Sequence, residues 1–462
     1  MRKKYFIGLT SVLLLTAALL LFSPPIEAQN KKQMESAKLL VGQGDDLFRQ
    51  KDYRGALEKY NKAIEVGGKY ALAYFDKGFA HYNLGEYDQA IEAFNNALSY
   101  GYDPSDVYDN RSYAYLMKKD YEGALKDVNA AIKLKPVNPD YYILSGRIYQ
   151  EKGDYSNAAA SFKKAVELKS ADPNVYYYLA QNYGQSGNFV QQEAAGAEAI
   201  KKGTTYPGET WELIGKSRQR SNKPAEAAEA YERALIAKPD IYEIYGLLSN
   251  IYRGLNRFED SITVTKKGLQ RLPNDGNLYT SLSRYLSLAN RNQEAVGAAQ
   301  QAIKLLPDQS AGYTSLCRAY NDLKGYDLAI DACTKALQIN PNDGETNLYL
   351  ARAYELQQKP DVATPYYKKA VTGLDEYTKS NPNDPDGFYL LGNAYYATGQ
   401  DAQAIDAYKK CLELSPGFSK ARYNLGYLYS KAGDKTAARE QYEALAKIDK
   451  SLADKLLEAI QK

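Results

Sequence analysis

The chain repeats itself with a period of 34 residues, and a period of that length leaves few folds open. Gly44, Gly78, Ser112, Gly146 and Ala180 stand one period apart, as do Ala56, Ala90, Ala124 and Ala158. Ala63, Ala97, Ala131, Ala165 and Ala199 keep the same step, which returns at Ala302 and Ala336. Aromatic residues hold their own columns, at Tyr53, Tyr87, Tyr121 and Tyr155 and at Tyr60, Phe94 and Phe162. Prolines close many units, among them Pro136, Pro239, Pro273, Pro307, Pro341, Pro382 and Pro416. Length alone would suggest about three globular domains. The repeat overrides that expectation, and it accounts for a content of 44 tyrosines without appeal to function.

Each unit holds two apolar-periodic stretches, for instance 140–152 and 155–168, joined by Gly153-Asp154, which predicts a helical hairpin. Small residues in the Gly and Ala columns let paired helices approach, and aromatics fill the gaps between successive pairs. One hairpin cannot bury its own apolar face, so neighbours must stack. Twelve units begin at residues 37, 71, 105, 139, 173, 208, 242, 276, 310, 344, 385 and 419. Residues 450–462, with Leu452, Leu456, Leu457 and Ile460 at helical spacing, are expected to cap the last open face.

Two units depart from the template. In the fifth, Gln192 and Gly196 stand where an alanine and an aromatic belong. The tenth carries Thr364-Pro365 in its second stretch and seven extra residues around 371–379. Thr364 is expected as an N-cap with Pro365 just inside, giving a late start, and the insertion as an extension of about two turns. Local length drift explains both departures, and bends in the array at about 207 and 384 are the sharper alternative. The expected organisation is a leader at 1–28, a linker at 29–36, units 1–5 over 37–207, units 6–10 over 208–384, units 11–12 over 385–452, and the end of a capping helix at 453–462.

The pattern resembles the tetratricopeptide repeat, with aromatic, Leu-Gly, Tyr, Ala, aromatic, Ala and Pro at fixed offsets. Tyr142, Ser145-Gly146, Tyr149, Ala158, Phe162 and Ala165 follow it, as do Tyr313, Leu316, Tyr320, Ala329, Ala336 and Pro341. The resemblance implies an all-α, right-handed superhelical solenoid of antiparallel helix pairs whose first helices line the concave side. In such a family ligands contact exposed positions of those first helices.

The N-terminus reads as a secretory signal: Arg2-Lys3-Lys4, an apolar run from Tyr5 to Phe22, Pro24-Pro25, and room for cleavage after Ala28. The alternative is an uncleaved inner-membrane anchor facing outward, since about eighteen apolar residues just reach across a bilayer. Either reading keeps the basic residues inside and carries the remainder across, so a periplasmic or secreted location is expected. Removal of 1–28 takes away three positive charges and one negative, so a formal charge of +3 becomes about +1. That balance speaks against nucleic acid. One His and three Cys in the whole chain speak against a metal site or a histidine-based catalytic centre. No phosphate loop or nucleophile elbow is present, so neither catalysis nor a cofactor is expected.

Reading the ligand-facing columns gives three stretches. The early units offer Phe48, Phe75, Phe79, Tyr82, Tyr113, Leu116 and Met117. The middle units offer Arg147, Lys216, Arg284, Arg318 and Arg352 in the ninth column, helped by Arg220 and Arg253. The late units offer Tyr389, Tyr396, Tyr423 and Tyr427. Pairing within one helix is the bland account of the cations, with Glu151 for Arg147, Asp322 for Arg318 and Glu355 for Arg352. Lys216 and Arg284 have no such partner, so the column is expected to be only partly neutralised. Asn250 and Asn393 occupy the same column but lack the flanking lysines of a clamp for chaperone tails. His81 and Trp211 take tyrosine columns and read as packing. Cys317 and Cys333 lie at one height on the two helices of the ninth unit. A disulfide is open to them outside the cytoplasm, while buried free thiols are the simpler reading. The expected function is a scaffold without catalytic activity that binds an extended, acidic protein segment. The alternative is a glycan-binding scaffold that meets an acidic polysaccharide.

Overall fold

The computed structural model describes residues 26–461. The leader expected at 1–28 lies outside them but for its last three residues. The described residues form two compact units, one ending at Tyr206 and one beginning at Pro207, and no strand occurs among them. None of their helices is long and apolar enough to cross a membrane.

The first unit holds five hairpins. They are α1 (Ile26–Arg49) with α2 (Tyr53–Gly67), α3 (Ala71–Asn83) with α4 (Tyr87–Ser99), and α5 (Pro104–Met117) with α6 (Tyr121–Leu134). Next come α7 (Pro139–Glu151) with α8 (Tyr155–Glu167) and α9 (Val175–Gln185) with α10 (Phe189–Lys201). Residues 29–36, expected as a linker, are instead the opening turns of α1, exposed apart from the partly covered Met34.

The second unit continues with α11 (Pro207–Arg220) and α12 (Pro224–Ala237), α13 (Glu243–Gly254) and α14 (Phe258–Arg271), and α15 (Gly276–Leu288) and α16 (Asn292–Leu305). Then follow α17 (Ser310–Asp322) and α18 (Tyr326–Ile339), and α19 (Gly344–Leu356) and α20 (Pro360–Ser380). It closes with α21 (Pro385–Ala397) and α22 (Asp401–Leu414), α23 (Ser419–Lys431) and α24 (Lys435–Ala446), and α25 (Lys450–Gln461). The unit runs through residue 384 without a break. α25 caps it, with Ala453 and Leu456 buried against α23 and α24.

One turn joins the helices of every hairpin. The fifteenth residue of each of the twelve units has positive φ: glycine at 85, 153, 187, 399 and 433, asparagine at 222, 256 and 290, lysine at 51, 119 and 324, and Gln358. The N–H of the next residue reaches back to a carbonyl five residues earlier, as in Asp154 to Tyr149 (2.9 Å) and Lys359 to Tyr354 (2.9 Å). This six-to-one bond ends the first helix and satisfies one of its orphaned carbonyls. Its donor then becomes the N-cap of the second helix. Asp52, Asp120, Asp154 and Asp434 each accept from the N–H three residues on, at 2.9 to 3.2 Å.

The turn brings the eighth position of one helix against the twenty-fourth of the other. A Cβ built at Gly78, Gly146, Gly215 or Gly392 would lie 2.5 to 2.8 Å from the ring of Phe94, Phe162, Tyr231 or Tyr408 respectively, so at these four positions a side chain would displace the ring. The fifth hairpin keeps the fit by exchange. Gly196 replaces the ring, Ala180 faces its column, and the buried Gln192 lies instead over Gly184. In the tenth hairpin the sequence expectation needs correction. α20 begins at Pro360, not at Thr364, whose hydroxyl donates to the Pro360 carbonyl (2.9 Å), and Pro365 sits inside the helix. Only one ladder bond is lost to Pro365, near the helix start, so the helix continues. The seven extra residues are absorbed as length: α20 has 21 residues where α18 has 14.

The second unit also touches itself across a turn of its solenoid. Arg253 of α13 donates to Asp386 of α21, and Asn256 donates to the Gly417 carbonyl. The Ser415 hydroxyl donates to the Gly254 carbonyl at 3.3 Å. Hairpin 7 is thereby tied to hairpin 11 and to the loop that leads from it into hairpin 12.

Two outcomes follow from this geometry. Gly392→Ala should lower the unfolding free energy by about 2 kcal/mol in urea titration, because the Tyr408 ring must be displaced. Asp386→Asn combined with Asn256→Gly should enlarge the radius of gyration in small-angle scattering while circular dichroism stays unchanged, because only the tie between hairpins is cut.

Candidate ligand groove

First helices carry the candidate residues, and each unit presents a different face. In the first unit much of the expected aromatic surface is packing. Phe75 is 7% exposed and stacks on Tyr102 with ring centres 4.0 Å apart. It also meets Phe79 edge-on at 5.0 Å. Phe48 contacts Tyr53, and Tyr82 contacts Tyr87. Tyr113 and Leu116 are half-buried against the α6 core, and Met117 is the most open of the set. The expectation of an aromatic ligand surface is therefore corrected for Phe75, which belongs to the core.

What the column reading missed here is acid. Asp45, Asp76 and Asp109 lie among these aromatics, and Tyr60 donates to Asp45 at 2.8 Å. Burial, with the charge of Asp45 adding to it, pushes the Asp76 carboxyl up to about 7. Burial and the charges of Asp106 and Asp140 push Asp109 up to about 6. Their column positions differ from unit to unit, so no single column of the repeat announces them.

Arg147 does not pair with Glu151. Its guanidinium lies over the Tyr178 ring, 5.2 Å from the centroid, and donates to the Tyr178 hydroxyl at 3.3 Å. His81 donates from Nδ1 to the Glu86 carboxylate (2.7 Å) at the start of α4, a structural contact that also involves Arg54.

In the second unit Arg284 and Arg352 find their acids across repeats, whereas Lys216 finds one within its own helix. Arg284 pairs with Glu345, two hairpins on, at 2.9 Å. Arg352 reaches back to Asp322 at 4.0 Å. Glu355 instead accepts from the Tyr367 hydroxyl, and Arg318 lies 6.0 Å from the Tyr349 ring centre and makes no ion pair among the described residues. Lys216 pairs with Glu212, one turn back, at 2.5 Å, so the expectation that it stands unpaired is also corrected. Trp211 lies under Arg233. Asn250 accepts from Tyr285 (2.8 Å) and Asn393 from Tyr408 (2.7 Å), so both amides are engaged internally.

Arg284, Arg318 and Arg352 line one cavity of about 420 Å³, together with Tyr349, Tyr389, Phe418 and Lys420. The structure thus gathers the middle of the ninth column into a single site and adds Lys420, which the column reading had passed over. Lys216 and Arg147 do not line it. Tyr396 also lines it, and with Tyr423 and Tyr427 borders a second pocket of about 230 Å³. Tyr396 and Tyr427 meet edge-on at 6.2 Å and remain 40% and 37% exposed, so these rings are available to a ligand.

Cys317 and Cys333 are joined as a disulfide, with Cα atoms 5.3 Å apart, where the simpler sequence reading had two free thiols. They occupy the eighth and twenty-fourth positions of hairpin 9, the columns that elsewhere hold glycine and a ring. Cys411 is free and buried, and burial raises its thiol to about 12. No group of acids, histidine and cysteine suited to a metal occurs among the described residues.

The Asp76 environment generates a pH prediction. A carboxyl whose pKa folding raises holds its proton more tightly in the folded chain. It therefore adds stability at acid pH, and that contribution is lost as pH climbs through about 4 to 7. Asp76→Asn should melt higher than the parent chain at about pH 8 and no differently at about pH 4.

Profiles described as "TPR repeat" match residues 146–187 and 392–433. Two described as "Tetratricopeptide repeat" match 41–106, 75–139, 213–275 and 282–344, and 419–452. Together they span well over half of the chain. The tetratricopeptide repeat and J domain-containing co-chaperone DNJ1 of Fusarium oxysporum f. sp. lycopersici is 37% identical over 83 residues, which are 18% of this chain and 16% of that protein. Among solved structures, yeast Tom70 has a TM-score of 0.39 at 16% identity, covering 85% of this chain and 94% of its own. The APC/C hetero-tetramer Cut9-Hcn1 has a TM-score of 0.39 at 13% identity, covering 95% and 99%. MamA protein has a TM-score of 0.33 at 26% identity, covering 37% and 94%. With its twelve hairpins and these profile matches, the chain belongs to the tetratricopeptide repeat family.

Proposed function

We propose that the protein is an exported interaction scaffold of the cell envelope that binds an extended, acidic protein segment on the inner face of its second unit. The observation that carries this reading is the convergence of Arg284, Arg318 and Arg352, from three successive first helices, on one cavity bordered by Tyr349 and Tyr389. Guanidinium forks take carboxylates in charge-assisted pairs, and tyrosines hold apolar stems beside them. Export is supported by the basic, apolar and small-residue order of the first 28 residues. The Cys317–Cys333 bond adds support, because such bonds persist in oxidising compartments. Recognition, not catalysis, is the role that stacked hairpins perform, since the repeat occupies the chain from 37 to 452.

A second reading, a glycan-binding scaffold, draws on Tyr396, Tyr423 and Tyr427, whose rings border an open pocket on which sugar faces can stack. The two readings separate in one experiment. A photo-crosslinking residue placed at Tyr423 should capture, in intact cells, an envelope protein with a run of Asp and Glu. A synthetic peptide of that run should bind the purified chain in a salt-sensitive manner. Arg318→Glu with Arg352→Glu should abolish that binding and leave helicity and melting nearly unchanged, since neither arginine makes a close ion pair. Undiminished binding by this variant, or binding only to acidic polysaccharide, would remove the proposal.

A further inference from the structure

We infer that Arg318, Arg352 and Lys420 form one oxyanion site, in which a lysine from hairpin 12 completes a pair of arginines from hairpins 9 and 10. The inference rests on the proposed binding face and assigns the group that docks there: a carboxylate or phosphate oxyanion, the chemistry the three cations share.

Four observations converge on it. The three side chains line the same cavity of about 420 Å³, a size suited to a compact ligand group. The acids around that cavity are already committed. Glu345 holds Arg284, Asp386 holds Arg253, Glu355 accepts from Tyr367, and Asp322 meets Arg352 only at 4.0 Å. Arg318 and Lys420 are left without an ion pair among the described residues.

Lys420 is exposed, yet its surface opens into the cavity and onto a neighbouring one of about 810 Å³, which it also lines. The desolvation of that setting, and the like charges of Arg318 and Arg352 against the opposing Asp322, hold its ammonium below the usual lysine range. Cations held together against their own repulsion are a site prepared for an anion, because a bound oxyanion removes the repulsion without any rearrangement.

The tie between hairpin 7 and hairpin 11 with its following loop explains why a residue so distant in sequence takes part. Asp386, Phe418 and Lys420 line both cavities, and the ties from Arg253 to Asp386 and from Asn256 to Gly417 fix the segment that carries Lys420 over the arginine column.

Competitive acylation of the full exported chain with acetic anhydride, read lysine by lysine by mass spectrometry, tests the site. Lys420 should react faster than Lys216 at mildly alkaline pH, because a depressed ammonium supplies more free amine. Inorganic phosphate in one arm and succinate in another serve as probes. Slowing of Lys420 by about threefold or more, with Lys216 unchanged, supports the site, and the more effective probe identifies the group it takes. Arg318→Gln with Arg352→Gln should abolish that protection while leaving the melting temperature in place. Protection by neither probe, or protection that survives in the double variant, would overturn the inference. Peptide capture that persists alongside such a result would leave the broader binding reading standing, so the two failures are distinguishable.

Discussion

The structure rests on one backbone hydrogen bond made twelve times. In each hairpin the sixteenth residue closes back on the eleventh across a left-handed residue. That bond stops the first helix, sets the N-cap of the second, and fixes the angle at which the two descend side by side. Only at that angle does a glycine at the eighth position meet a ring at the twenty-fourth. The packing columns are therefore consequences of the turn. The glycine choice is not uniform, because asparagine, lysine and glutamine also serve. A left-handed L-residue costs about 1–2 kcal/mol, which neighbouring helix contacts outweigh.

The repeat was legible because it is local. Its period, its twelve hairpins and the terminal cap can all be read from spacings of 34 residues or less, the range over which a solenoid keeps its contacts. Ion pairing between repeats was not legible. Arg284 finds Glu345 sixty-one residues away, and Arg253 finds Asp386 across 133. Such partners are chosen by the pitch of the stack, which depends on the sum of small rotations at every interface and not on any one unit. Pairing rules within a helix consequently assigned Arg147, Arg318 and Arg352 to acids they do not meet. Pro365 misled for a related reason. A proline close to a helix start removes a single ladder bond, and packing of Tyr367, Ala370 and Leu374 holds the helix through it. The column containing Lys420 carried no cation in neighbouring repeats, so repetition could not flag it.

Identical architecture supports opposite electrostatics in the two units. The first sets Asp76 and Asp109 half-buried among tyrosines, and burial favours their protonated forms. The second gathers arginines and a lysine around a cavity. A solenoid permits this because its template fixes only the residues between helices and leaves the inner face free to vary. A chain whose formal charge is only +3 can thus carry concentrated charge of both signs.

The Cys317–Cys333 bond stands where other hairpins hold a glycine and a ring. Linear arrays come apart by fraying, each lost unit uncovering the next, so their resistance is set by the weakest neighbour. A covalent rivet in hairpin 9 interrupts that propagation from either direction. The array is then expected to behave as two shorter zippers meeting at a clasp, and the arginines flanking the clasp keep their spacing even while the ends breathe.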